Sequence, residues 1–204
     1  MSQNHAHSEP VDHEAGKIGM WLFLFTELFL FGGLFLVYAV FRSQYSESFH
    51  AAADELNAFV GTLNTVVLLV SSMTAAMSIT AVRRGENRRA LLLIASTFIL
   101  ALVFMVNKYF EWSHKFHYDI YPGSEVMKNM EQGEILFFGL YYMMTGLHAL
   151  HVIVGMVLLA INGIKLMKGR MHQENYHLLE NSALYWHLVD LIWIFLFPLL
   201  YLVT

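Results

Sequence analysis

The sequence predicts an all-α membrane protein, a polytopic bundle of five transmembrane helices. Of its 204 residues, 57% are hydrophobic and only 14% are charged, whereas soluble domains average about 25% charged residues. Five apolar runs are long enough to cross a bilayer core, which takes about 20 helical residues. Most of these runs are apolar around the whole helix, which is typical of helices surrounded by lipid and argues against a soluble bundle.

Each predicted span is defined by an apolar run, and four of the spans carry ionisable residues. The first span has a single charge, Glu27, in the stretch LFLFTELFLFGG. The fourth contains His148 and His151, and the fifth contains His187 and Asp190. The third ends in NKYFEW, whose aromatic residues indicate the membrane interface. The predicted spans are 18–41, 58–82, 90–112, 135–165 and 182–203.

The first 16 residues are polar and contain no Lys or Arg, so they do not match a secretory signal. We expect a disordered cytoplasmic tail over 1–16, followed by one membrane domain over 17–204. His5, His7 and His13 could bind a stray metal ion, but a solvated tail is the simpler interpretation.

The basic residues predict the orientation of the chain. The loop RRGENRR joins the second and third spans, and Lys165, Lys168 and Arg170 follow the fourth. With Lys17, these are eight of the twelve Lys and Arg residues, and all lie on one side of the membrane. Cytoplasmic loops carry such an excess of positive charge. The N-terminus is therefore predicted to be cytoplasmic and the C-terminus to lie outside.

Several classes of function have no support in the sequence. There is no cysteine, which excludes disulfides and thiolate-bound metals. The net charge of −4 argues against a nucleic-acid partner. No phosphate-binding glycine loop or hydrolase-type nucleophile motif is present. The residue inventory suits a scaffold better than an enzyme, so we predict no catalytic residue.

Glu27 is the first candidate functional residue. A charged group at bilayer depth costs about 2.5–3.5 kcal/mol on insertion scales, so it needs a reason to be there. One interpretation is a proton relay or a site for a polar ligand. The other is a buried, hydrogen-bonded carboxyl group that fixes helix packing. We expect Glu27 to face a cleft or a neighbouring helix rather than bulk lipid.

The histidines of the last two spans allow three interpretations. His148 and His151 are three residues apart and share a helix face, as do His187 and Asp190. Together they could hold a haem or a metal, as in a membrane cytochrome b. A transporter could instead use Glu27 and Asp190 as a proton-coupled site. Metal sites need three or four converging ligands, so we predict that His148 and His151 are packing residues without a metal.

Two further polar groups lie near the span ends. Lys108 and Glu111 stand beside aromatic residues, which predicts an interfacial anchor belt. Glu180 and His187 are two helical turns apart and can share a face, which is consistent with an interfacial cap on the fifth span.

Three ordered stretches carry a resemblance to a known family. KIGMWLFLFTELFLFGGLF, TGLHALHVIVG and LYWHLVDLIWIFLFPLLYL closely resemble subunit III of the haem–copper respiratory oxidases. NTVVLLVSSMTAAMS and KYFEWSH fit the same pattern, and the resemblance covers residues 17–202. The five spans are similar to the short bacterial form of the family.

The resemblance implies an accessory, non-catalytic subunit of a bacterial terminal oxidase, packed beside subunits I and II in the cytoplasmic membrane. Haem and copper would lie in catalytic subunit I and none in this chain, and the complex would be a proton-translocating oxidoreductase. The family's helices form two bundles around a phospholipid-holding cleft, support proton uptake and protect the catalytic subunit from inactivation during turnover. The electron donor would be cytochrome c or a quinol, and a homologue associated with nitric oxide reductase is a further alternative.

The resemblance also assigns residues. Glu27 is similar to the family's intramembrane carboxylate. Many members place a histidine four residues before the glutamate of the fifth span, whereas His177 precedes Glu180 by three. The other matching positions are His148, His151, Trp186, His187 and Asp190, with Glu111 and Glu180 as looser matches.

Overall fold

The structure, a computed structural model, describes residues 9–171 and 176–202. Within these ranges it is all-helical, without a strand, which confirms the predicted fold class. Five of its helices are long and apolar enough to cross a membrane. The helices are α1 (Glu9–Gln44), α2 (Ser46–Asp54), α3 (Ala58–Arg83), α4 (Asn87–His117), α5 (Glu125–Lys128), α6 (Gln132–Met167) and α7 (His177–Tyr201).

Several helices continue past the predicted span ends. Helix α1 begins at Glu9, so residues 9–16, which we expected to be disordered, are helical. Helix α4 runs on to His117, beyond the predicted end at 112. Hydropathy marks only the part of a helix inside the apolar core, and polar turns beyond it stay helical. His5, His7 and the side chain of His13 lie outside the described part of the chain.

The helix ends follow local chemistry. The Asn57 side chain caps α3 by accepting hydrogen bonds from the backbone N–H groups of Phe59 and Val60, at 3.0 and 3.2 Å. Glu131 and Glu134 form a capping box at the start of α6. The turn after α3 places Gly85 at φ 74°, a left-handed conformation that glycine adopts without strain. These caps set where each span enters the interface.

The spans pack unequally. Helices α3, α4, α6 and α7 contact one another and enclose the core, whereas α1 packs along α6 and α7. In the most apolar 18-residue segment of α7, half of the residues are buried inside the protein. In the corresponding segment of α1, only 6% are buried. Helix α1 is therefore a peripheral helix on a four-helix unit. It is attached to that unit by few contacts within this chain.

Candidate functional site

The Glu27 side chain points toward α6 and is mostly buried against it. Its Oε2 atom is 2.8 Å from His151 Nε2, and the two side chains are 15% and 9% exposed. The ring of Phe31, one turn along α1, packs edge-on against the His151 ring at 5.4 Å. The carboxyl group is thus satisfied by the fourth span, as a polar group at bilayer depth requires. We call Glu27 and His151 the carboxylate–histidine pair.

The hydrogen bonds of His151 constrain where its protons lie. Its Nδ1 atom is 2.7 Å from the backbone oxygen of Leu147. A carbonyl oxygen only accepts, so Nδ1 carries a proton. One further proton then lies between Nε2 and Glu27, on either atom, because their separation is that of a hydrogen bond. The carboxylate–histidine pair is neutral overall in both arrangements, and its two members share one proton.

His148 shares a helix face with His151 but has different surroundings. It is fully buried, with its ring packed against Phe104 and Trp193 at 5.6 and 5.2 Å. Neither ring nitrogen has a hydrogen-bond partner among the described residues. Across residues 9–171 and 176–202, no group of three or more His, Cys, Asp or Glu side chains is arranged to hold a metal. The two histidines are therefore in separate environments and do not converge.

The polar residues of α7 face α3. Trp186 is 1% exposed and donates from Nε1 to Ser71 Oγ at 3.1 Å. His187 Nδ1 lies 2.5 Å from Ser72 Oγ. Asp190, one turn further, is buried, and its Oδ1 has no partner among the described residues. These side chains join α3 to α7 through hydrogen bonds of Trp186 and His187 to neighbouring serines.

A cavity of about 480 Å³ opens at the end of the bundle where α7 begins. Lys17 and Trp21 of α1 line one wall, and Arg83 of α3 and Glu180 of α7 line another. Arg83 Nη2 donates to Glu180 Oε1 at 2.5 Å, so this ion pair ties α3 to α7 at the cavity mouth. His187 lies on the wall as well. We call this space the α1 cavity.

The sequence-based interpretation of Lys108 and Glu111 as an interfacial belt is wrong. Lys108 is 4% exposed, and its Nζ donates to Glu111 Oε1 at 3.2 Å. The Tyr141 hydroxyl, and that of Tyr201 at 2.5 Å, donate to the same oxygen. This buried lysine cluster joins α4, α6 and α7. The sequence did contain a signal for this cluster, because Lys108, Glu111 and Lys115 are spaced i, i+3, i+7 and so share one helix face.

The comparison with known families agrees with this architecture. A family model described as cytochrome c oxidase subunit III matches residues 2–204. The chain belongs to this family. It is subunit III of a haem–copper oxidase, as the sequence motifs predicted, and a membrane protein that associates with other oxidase subunits.

Curated relatives extend over the same length. Cytochrome c oxidase subunit 3 of Thermostichus vulcanus is 30% identical over 202 residues, 98% of this chain and 92% of that protein. A probable quinol oxidase subunit 3 of Staphylococcus saprophyticus is 27% identical, over 92% of this chain and 88% of the relative. A haem–copper oxidase subunit I+III of Aeropyrum pernix is also 27% identical, over 95% of this chain and 23% of its own length.

Proposed function

We propose that this chain is the non-catalytic accessory subunit of a bacterial haem–copper terminal oxidase, which stabilises catalytic subunit I, binds phospholipid and supports proton uptake. The single observation that carries the proposal is the carboxylate–histidine pair. A neutral pair with one mobile proton tolerates bilayer depth, because no net charge is desolvated. It also supplies a group that can take up or release that proton. The same bond attaches the peripheral helix α1 to the four-helix unit.

The α1 cavity is the proposed phospholipid site. Lys17 adds a positive charge to its lining beside the Arg83–Glu180 ion pair, and Trp21, Ile79 and Leu184 give it an apolar wall. Basic pockets between spans on the cytoplasmic side suit anionic headgroups. The RRGENRR loop supports a cytoplasmic location for this end, with the N-terminus on the same side and the C-terminus outside.

Subunit I is the proposed main partner. The name of the Aeropyrum pernix relative places subunits I and III in one protein, which supports direct packing between the two. Subunit II, haem and copper belong to the remainder of the complex, and this chain would bind none of the metals.

Affinity purification of the tagged chain from native membranes tests the assignment. We expect a large haem-containing subunit to co-purify with oxygen-consuming activity, identified by mass spectrometry and a reduced-minus-oxidised spectrum. The donor that supports turnover, cytochrome c or a quinol, distinguishes the two kinds of oxidase. Recovery of a colourless chain alone, or of haem on this chain without a partner, would contradict the proposal.

Substitution of the intramembrane carboxyl group tests its role in the complex. Glu27→Gln keeps the shape and a hydrogen-bond acceptor but removes the mobile proton. We expect the complex to assemble with unchanged haem content. The number of turnovers before inactivation should fall about tenfold, the effect of ~1.4 kcal/mol on a rate.

The matched control is Glu125→Gln, whose carboxylate is exposed and pairs with Lys128 at the surface. This variant should retain the wild-type turnover number. A Glu27→Gln complex that lasts as long as wild type would show that the carboxyl group serves packing alone.

A further inference from the structure

Two tyrosines of the buried lysine cluster share one carboxylate. Tyr141 is 0% exposed and Tyr201 is 5% exposed. Both hydroxyls donate to the same atom, Oε1 of Glu111, with the Tyr201 oxygen at 2.5 Å. Because an O–H···O hydrogen bond is about 2.7 Å long, the two hydroxyl oxygens lie within roughly 5.5 Å of each other. Two phenols therefore have one carboxylate as their common proton acceptor.

The other atoms of the cluster suit a phenol that loses its proton. Lys108 Nζ donates to the Tyr201 hydroxyl oxygen at 2.5 Å, so that oxygen keeps a hydrogen-bond donor after its own proton has gone. Glu111 Oε2 has no hydrogen-bond partner among the described residues. Glu111 also lines a cavity of about 430 Å³ between the α2–α3 connection and the last turns of α4. The carboxyl group therefore stands between the phenols and this cavity, and it can hold the proton that either phenol releases.

This arrangement separates the pair from other tyrosines of the chain. Tyr38 and Tyr185 donate to the backbone oxygens of Leu199 and His151. A peptide oxygen accepts a hydrogen bond but is far too weak a base to take a proton, whereas a carboxylate can take one. A phenol gives up a single electron readily only when a base takes its proton at the same time. Tyr141 and Tyr201 have such a base, so they are suited to one-electron oxidation.

A row of touching aromatic rings leads from the tyrosine pair to the outside of the bundle. The ring centroids of Tyr141 and Tyr142 are 5.2 Å apart, and those of Tyr142 and Trp112 are 5.6 Å apart. Aromatic rings in contact have centroids about 4.5–7 Å apart, and electrons tunnel rapidly between rings in contact. Tyr142 and Trp112 are only half-buried. An oxidant that reaches Trp112 can therefore draw an electron from the buried pair.

The surface where this row ends carries a side chain that oxidants damage. Met143 follows Tyr142 in α6 and is 59% exposed. Oxidation of a methionine to its sulfoxide makes an apolar side chain polar and disrupts packing. The chain has 12 methionines and no cysteine, so it has no thiol to react first. A nearby electron donor that is oxidised before Met143 would spare it.

We propose that Tyr141 and Tyr201 form a one-electron redox site that reduces peroxyl radicals arriving at Trp112 from the surrounding membrane. One electron passes from a phenol through Tyr142 and Trp112 to the peroxyl radical, which takes a proton from water and becomes a hydroperoxide. The phenolic proton moves to Glu111, which leaves a neutral tyrosyl radical. The proton that Glu111 gains balances the one that water gives up. The proposed function does not use this cluster, so failure of this proposal leaves the proposed function standing.

The test exposes the whole oxidase complex, in membrane vesicles, to peroxyl radicals from a lipid-soluble azo initiator and records electron paramagnetic resonance spectra of frozen samples. Wild type should show a tyrosyl radical signal. Tyr141→Phe combined with Tyr201→Phe should lose this signal, while Lys108 still pairs with Glu111. Tyr109→Phe, which removes a phenol of α4 that is 70% exposed, should keep it. A signal of wild-type size in the Tyr141→Phe, Tyr201→Phe complex would overturn the proposal.

A second variant tests the route of the electron and covers the case in which the first fails to assemble. Trp112→Phe combined with Tyr142→Phe keeps an aromatic ring at both positions but removes the two side chains that relay the electron. Trp112 Nε1 has no hydrogen-bond partner among the described residues, and the Tyr142 hydroxyl gives up one bond, to the backbone oxygen of Ile120. The tyrosyl signal should again be lost.

Oxidation of Met143, measured by mass spectrometry of its peptide, is the readout for protection. The fraction of Met143 sulfoxide should rise above the wild-type level in both double variants and stay at that level in Tyr109→Phe. A tyrosyl signal retained by the Trp112→Phe, Tyr142→Phe complex would overturn the proposed route. Sulfoxide at the wild-type level in the double variants would overturn the protective role.

Discussion

Replacing Lys108 with Met is expected to lower the free energy of unfolding by about 3–5 kcal/mol, the usual cost of leaving one member of a buried ion pair without its partner. Glu111 is 10% exposed and would keep only the hydroxyls of Tyr141 and Tyr201 as donors. Its other oxygen, Oε2, already lacks a partner among the described residues. Met fills a similar volume, so the loss would come from the charge rather than from a void.

The effect is measurable as a fall of roughly 6–20 °C in the temperature at which this subunit dissociates or unfolds in the purified complex. The double variant Lys108→Met with Glu111→Leu should regain part of the loss, because it removes both buried charges and leaves only the Tyr141 and Tyr201 hydroxyls without their acceptor. Lys128→Met is the matched control, because Lys128 pairs with Glu125 at the same sequence spacing but at the surface. It should change stability by less than about 0.5 kcal/mol. A Lys108→Met complex as stable as wild type would show that Glu111 is neutral in the folded chain.

Substituting Gly155 by Ala is expected to destabilise the contact between α6 and α7 by about 1–3 kcal/mol, the usual cost of overpacking a core. A Cβ atom at Gly155 would lie 2.6 Å from Cε3 and 2.8 Å from Cζ3 of Trp186. Trp186 cannot easily give way, since it is 1% exposed and its ring nitrogen is bonded to Ser71. The clash outweighs the roughly 1 kcal/mol by which Ala favours a helix over Gly.

Gly139→Ala on the same helix is the control for this effect. A Cβ atom there would meet nothing within 4 Å, so the variant should be as stable as wild type or up to ~1 kcal/mol more stable. Thermal unfolding of the two complexes, followed by tryptophan fluorescence, compares them directly. Equal melting temperatures for the two variants would contradict the prediction, because they would mean that the Trp186 ring or α7 shifts to accommodate the added methyl group at little cost in free energy.

The sequence predicts the existence of the spans well because span length and apolarity are local properties. The five apolar runs correspond to α1, α3, α4, α6 and α7, whereas the short helices α2 and α5, which lie in the connections, carry no comparable signal. The family also followed from local stretches of sequence, and the family model that matches residues 2–204 confirms it.

The partners of the polar residues were less predictable, because they depend on the rotation and depth of each helix. Glu27 and His151 were both singled out, yet nothing in either segment joins them across 124 residues. An interfacial belt and a buried cluster would both place Lys108 beside aromatic residues. The composition of this segment therefore could not distinguish the two arrangements. The i, i+3, i+7 spacing of Lys108, Glu111 and Lys115 was the better predictor of burial. Residues that share a helix face are buried together when that face packs against other helices.

The distance along the chain between Glu27 and His151 has a consequence for how the protein is made. Ribosomes add about 5–20 residues per second, so the 124-residue separation means that α1 exists for roughly 6–25 s before its partner histidine is synthesised. During that interval the carboxyl group of Glu27 lacks its hydrogen-bond partner in the folded protein. The mean hydropathy of 2.1 over the best window of α1 has to offset that carboxyl group without help from α6. The bond between Glu27 and His151 can therefore form only late in synthesis, after α6 has been made.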